Sequence, residues 1–241
     1  FRPTDWHHVA TISEFKTNYD LLSKVAHTVR IGGVMETYYN PVYGGYVGGA
    51  EGVAVAIAAA LILLNQTNMS HTLATRPDHP FLGCNTTREL LWAMNVGVQA
   101  LARNTNLLVG TLVGPAGGPG TDTLLYEVAA YAIGTTVSGQ SLIEASHSAG
   151  GHVARHVSGL EARLCGEVAH AVGGMEREQA NELVERLYAR YEPDLNSKPI
   201  GHPFEEVYDV ERVEPTPEWQ ATYERVWGEL VDMGLPLDRL L

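Results

Sequence analysis

Between residues 34 and 137 four short apolar runs alternate with loops and helical stretches, and this recurrence limits the fold more than anything else in the chain. The apolar runs are residues 34–39, 71–75, 107–113 and 135–137. The third is almost continuously apolar, as strands buried on both faces are. Strands alternating with helices read as βαβ units, which build a parallel sheet. The clearest unit spans residues 32–66. Its strand leads into a turn with Pro41, Gly44, Gly45, Gly48 and Gly49, and then into an Ala-rich helix with Glu51 in its first turn, where a carboxylate complements the positive helix end. In parallel α/β folds chemistry sits on such loops, at the carboxyl ends of the strands. Glycine there lets a ligand approach bare backbone. Tyr38, Tyr39, Tyr43 and Tyr46 crowd the turn as a pocket wall would. The loop lacks the spacing of a dinucleotide fingerprint or a phosphate loop, so a plain tight turn stands beside the ligand reading.

The flanking segments fit the same frame. Residues 11–30 have the 3–4 spacing of an amphipathic helix, capped by Thr11 or Ser13 and stopped by Gly32-Gly33. Thr87 caps a helix bearing Leu90, Leu91, Met94, Val98 and Leu101, and Thr121 or Asp122 caps the helix after the loop GPAGGPGTD. Beyond residue 140 the pattern turns helical, with segments 159–173 and 176–192 and a last helix capped by Thr216. A four-stranded parallel sheet standing alone exposes two edges. We therefore expect residues 1–173 to be the C-terminal half of a TIM (β/α)8 barrel, with the other half before Phe1. Residues 174–241 are expected to be a helical extension packed on it.

Composition narrows the partners. The formal charge is −12, from 16 Lys+Arg against 28 Asp+Glu. Such a surface repels phosphate backbones and anionic lipid, so neither nucleic acid nor membrane is an expected partner. The most apolar run, residues 53–64, falls short of the about 20 residues that span a bilayer. Cys84 and Cys165 match no zinc or CxxC spacing, which suits reduced thiols in a cytoplasmic protein.

Laid out in this way, the chain resembles the C-terminal half of the monomethylamine:corrinoid methyltransferases, a pyrrolysine-containing family of methanogenic archaea. The similar residues are spread over its length: Asp5 and His7, Ala26-His27, Pro41, Gly44-Gly45-Tyr46, Gly48-Gly49, Thr87-Arg88-Glu89 and Ser138-Gly139. They are densest at Gly159, Glu161-Ala162-Arg163 and Gly166-Glu167-Val168-Ala169, then at Tyr208-Asp209-Val210, Pro215-Thr216, Tyr223 and Gly234-Leu235. The resemblance implies a TIM barrel that moves a methyl group from a methylated amine, monomethylamine first, to the Co(I) of a corrinoid. That corrinoid is carried by a partner protein, so no cofactor is bound directly. A homo-oligomer is expected. The departures are specific. The pyrrolysine position falls upstream of Phe1. The family's catalytic glutamate falls at Tyr38, its glutamine and tyrosine at Leu112 and Gly114, and a further glutamate at His8. The alternatives are a pyrrolysine-free relative acting on another substrate, or a non-catalytic barrel that binds a corrinoid protein or a ligand.

The candidate catalytic residues are Glu36, Tyr38 and His8. Glu36 lies two residues before Tyr38, hence on the same strand face, and offers the missing carboxylate. Histidine titrates near neutrality. Tyr39, Tyr46, Arg88 and Asp122 are candidates for substrate binding. Each has a structural counterpart: Tyr38 fills the barrel, Glu36 pairs with an arginine, Arg88 pairs with Glu89 or another carboxylate, and Asp122 caps its helix. His147, His152 and His156 form HxxxxHxxxH, but Gly150-Gly151 argues for a loop and no further ligand completes the set, so no metal centre is expected. Glu161 and Arg163 are expected to make salt bridges on their helix.

Overall fold

The structure, a computed structural model, describes residues 2, 5–11, 15–144 and 146–237. Strands β1 (Trp6–Ala10), β2 (Val34–Tyr39), β3 (Thr72–Thr75), β4 (Val109–Leu112) and β5 (Leu142–Glu144) form one parallel sheet in chain order. Helices α1 (Tyr19–Ile31), α2 (Ala50–Asn68), α3 (Arg88–Asn104) and α4 (Asp122–Val137) connect successive strands. Alternation sorts the two sheet faces. Val9 and Met35 pack with Leu21 and Val25 of α1, and Tyr39, Leu73 and Val109 pack with α2, α3 and α4. Tyr38, Ala74 and Leu112 cluster on the opposite face. Strands in sequential order with their helices on one face make the wall of a barrel, whereas a doubly wound sheet carries helices on both. Among the described residues β1 and β5 are its open edges.

By length and composition α2 is apolar enough to cross a membrane. Here Val53, Ile57, Ala60 and Leu61 sit in the layer between sheet and α3, while Val55, Ile62 and Leu63 are exposed. Gly97 permits the close crossing of α2 and α3, because a Cβ there would lie 2.9 Å from Ile57 Cγ2. Helix α4 is buried from Thr123 to Ile133, since α5 (Gly159–Ala171), α6 (Arg177–Tyr191) and α8 (Pro217–Asp232) close over it. A short helix α7 (Phe204–Val207) and the antiparallel pair β6 (Tyr208–Asp209) and β7 (Glu214–Pro215) lead into α8, capped by Thr216. Both cysteines are buried and free, their thiols pushed up to about 12 by burial.

Three sequence expectations are corrected. Residues 135–137 are the last turn of α4, and the strand is Leu142–Glu144. The β-branched run has strand propensity, but Thr135 Oγ1 donates to Tyr131 O at 2.8 Å inside a fully packed helix. Helix α1 begins at Tyr19, because Asn18 Oδ1 accepts from Leu21 N at 2.9 Å. Thr11 instead anchors the end of β1, its N–H and Oγ1 both donating to Tyr38 O, and Ser13 lies outside the described residues. Strand β1 itself was not anticipated, its polar WHHVA being too short to show a period.

Candidate active site

The inner wall is organised by strand register. Glu36 of β2 stands level with His8 on β1 and Thr72 on β3. His8 Nδ1 lies 3.1 Å from Glu36 Oε2, and Thr72 Oγ1 donates to Glu36 Oε1 at 3.3 Å. Glu144 of β5 reaches the same place from the far side, because the strands between carry Ala74 and Gly110. A Cβ on Gly110 would already lie 3.4 Å from Glu144 Oε1. One ligand atom each from His8, Glu36 and Glu144 falls within 4.8 Å of the others, the one such group among the described residues.

The electrostatics follow from two carboxylates sharing a partly dry space. Glu36 is buried and Glu144 partly so. Burial, then the charge of Glu36, pushes the Glu144 carboxyl up to about 7. The hydrogen bond to Glu36 holds the His8 imidazole above its ordinary value against the opposing effect of burial. The Tyr38 ring stacks at a tilt 4.9 Å from that of His8, and burial drives its phenol far above the usual range, so it stays protonated. This donor set suits a cation, either an ammonium or a metal ion.

Nearer the carboxyl ends of the strands the character changes. Arg76, just past β3, is buried; its Nη2 donates to Gly150 O at 2.8 Å and lies 3.1 Å from Asp78 Oδ1. Its guanidinium lies flat on Gly114, where any Cβ would collide with Nε, Nη2 and Cζ. On this wall the buried Arg76 Nε and Glu144 Oε1 have no hydrogen-bond partner, while Asp78 Oδ1 faces Arg76 Nη2 and Asn40 stands beside the Tyr38 hydroxyl. Behind them the loop after β4 is pinned. Asn85 bridges Leu112 O and Gly114 N at 2.8 Å each. Glu127 of α4 accepts from Ala116 N and Gly117 N at 2.8 Å each and from Thr86 Oγ1.

A sequence model described as monomethylamine methyltransferase MtmB matches residues 1–235. The chain belongs to the MtmB family. It is 33% identical over 232 residues to monomethylamine methyltransferase MtmB2 of Methanosarcina barkeri and 35% identical over 233 residues to MtmB3 of the Fusaro strain; each comparison covers 96% of this chain and 51% of the relative. The crystal structure of Methanosarcina barkeri MtmB superposes with a TM-score of 0.94 at 32% identity, covering 98% of this chain and 51% of that one. A hydroxylamine complex of MtmB matches equally well. The chain thus spans about half the length of the MtmB relatives it matches, and its parallel wall is the half-barrel expected from the sequence.

Within this MtmB framework the candidate residues separate. Glu36, Tyr38 and His8 meet on the inner wall. Tyr39 points the other way, into the core under the helices, because successive strand residues face opposite sides. Tyr46 is 83% exposed at the turn, its ring 5.9 Å from Lys16 Nζ. Arg88 ties α3 to α6 through Glu185 at 2.5 Å and the face of Tyr188, outside the barrel. Asp122 is the first residue of α4, with Thr121 as the cap, and pairs with Arg225 of α8 at 2.5 Å. His147, His152 and His156 form no metal-ligand group among the described residues. Arg163 pairs with Glu167 at 2.7 Å, whereas Glu161, expected in a salt bridge, closes a capping box with Ser158. Sequence reasoning missed Glu144 and Arg76. A strand placed at Leu142–Glu144 would have exposed Glu144 as an inward carboxylate, and period-2 alternation from Thr72 through Ala74 marks Arg76.

Proposed function

We propose that the full-length protein transfers a methyl group from a methylated amine to the Co(I) of a corrinoid held by a partner protein, with monomethylamine the first substrate to test. The observation that carries this reading, in a member of the MtmB family, is the inner-wall cluster of His8, Glu36 and Glu144. Neutral amines lose a methyl group poorly, so the nitrogen must be cationic when the bond breaks. Two carboxylates attract and orient such a cation. The C–N bond breaks heterolytically, its electron pair staying on nitrogen, and the methyl carbon gains its new bond from the reduced corrinoid. Glu36 and Glu144 hold the nitrogen end, and Tyr38 with Leu112 walls the methyl group. Tyr39, Tyr46, Arg88 and Asp122 take no part in this assignment. Residues 1–173 serve as the barrel wall and 174–241 as its brace, within a homo-oligomer.

The experiment incubates full-length protein with Co(I) corrinoid protein and single methylated amines and follows methyl-Co(III) by absorption. Transfer that falls steeply in Glu36→Gln and Glu144→Gln supports the reading. No transfer from any amine refutes it and favours a ligand-binding barrel, which the residues at Tyr38, Leu112 and Gly114 would then explain. An in-frame amber codon upstream of Phe1 would support a pyrrolysine adduct, and a sense codon there would support chemistry without one.

A further inference from the structure

The unmet polar atoms of the inner wall sort by chemistry. Glu144 Oε1 accepts hydrogen bonds and Arg76 Nε offers a proton; Asp78 Oδ1 already faces Arg76 Nη2, and the Tyr38 hydroxyl has Asn40 beside it. A simple methylamine has one polar group, which satisfies Glu144 and leaves the Arg76 Nε–H buried and bare. From this we infer that the natural substrate is an N-methylated amine that also carries a carboxylate. Its nitrogen sits at Glu36 and Glu144, and its carboxylate at the Nε edge of Arg76 and the Tyr38 hydroxyl. The inference rests on the methyl-transfer reading and names the substrate class for it.

Three features support the carboxylate end. Arg76 is 7% exposed and Tyr38 equally so, and both side chains project from the same face of adjacent strands. Asp78 and Gly150 O both meet Nη2, so the neighbouring Nε–H is the donor that remains for a second anion. The register places Arg76 on the rung after Thr75 and Thr111, level with Leu112 and hence with Glu144. Gly114 makes this possible: any side chain there would displace the guanidinium. A ligand with its charges a few bonds apart meets both ends.

The test compares pairs matched in methylation, with the full-length protein and its Co(I) corrinoid partner: N-methylglycine against methylamine, N,N-dimethylglycine against dimethylamine, and the trimethylated betaine against tetramethylammonium. N-methyl-β-alanine extends the spacing. The expected result is kcat/KM at least about a hundredfold higher for the carboxylate-bearing member of one pair, the discrimination reached by sites built to bind a polar group. Preference for the carboxylate-free amines overturns the inference and leaves the methyl-transfer reading standing. If no compound transfers a methyl group, that reading falls, and calorimetric binding of the same pairs still decides the inference: tighter binding of the carboxylate-free member overturns it. Tyr38→Phe removes one donor with little change of shape and is expected to reduce the preference about tenfold. A preference unchanged in Tyr38→Phe and in Arg76→Gln would also overturn it, and the wild-type pairs decide alone should Arg76→Gln fail to fold.

Discussion

Glu127 provides the sharpest test of how the site is held. Its carboxyl is fully buried and accepts from three donors, Thr86 Oγ1, Ala116 N and Gly117 N. Those bonds favour the charged form and burial opposes it; burial wins, and the group rises from 4.5 to about 7. A carboxyl raised in the folded state keeps a proton that the unfolded chain has already released. Its contribution is therefore fully present below about 4.5 and is lost as the pH climbs through about 7. At about 1.36 kcal/mol per pH unit, that interval amounts to about 3 kcal/mol. Glu127→Gln has the same shape and no titration. Urea unfolding of the full-length protein at fixed ionic strength, followed by tryptophan fluorescence, should find the variant less stable by about 1–3 kcal/mol at pH 4.5, because the amide nitrogen cannot accept from the backbone N–H it faces. Between pH 4.5 and pH 8 the difference should move by about 3 kcal/mol in favour of the variant. A difference that stays flat with pH, or one that moves in favour of the wild type as pH rises, would refute the reasoning, because the three donors would then keep the carboxylate charged throughout.

The remaining predictions concern single contacts. Glu144→Gln removes one of the two charges that hold the cationic nitrogen and should lower kcat/KM for a methylated amine by about a hundredfold in the methyl-Co(III) assay. Gly114→Ala drives a methyl into the Arg76 guanidinium and should cost about 1–3 kcal/mol in thermal unfolding. Trp219 is buried, with Nε1 donating to Ser158 Oγ at 2.9 Å, so Trp219→Ala should cost about 3–5 kcal/mol by the same measurement. Thr121→Ala removes the acceptor for Leu124 N at the start of α4 and should cost about 1 kcal/mol.

The winding of this chain was legible because it depends on rhythm. Apolar runs recur with helices between them, and caps such as Thr87, Thr121 and Thr216 announce themselves by residue type and position. The errors arose where local propensity and tertiary packing disagree. Thr135-Thr136-Val137 favour a strand in isolation, yet they finish a helix that is buried from Thr123 to Ile133, and that misplacement hid Glu144. The site was half legible for a related reason. Glu36 and Tyr38 share a strand face, and adjacency in sequence reveals that. The approach of Glu144 to Glu36 crosses two intervening strands, so no spacing along the chain encodes it. Tyr39 and Tyr46 show the converse, since aromatic crowding in sequence dispersed into the core and into solvent.

What decides the chemistry of this wall is largely what β3, β4 and the loop after β4 leave out. Ala74 and Gly110 contribute almost no bulk to the lumen, which lets carboxylates from β2 and β5 meet across the strands between them. Gly114 contributes none, and Arg76 lies down in the space. A barrel layer normally filled by branched side chains is a packed core. Here the filling is polar, and charged groups of opposite sign share one wall. Burying them without partners would cost more than any packing gain recovers. A ligand that brings a complementary charge to each removes that cost, and for this reason the wall reads as a binding site rather than a core.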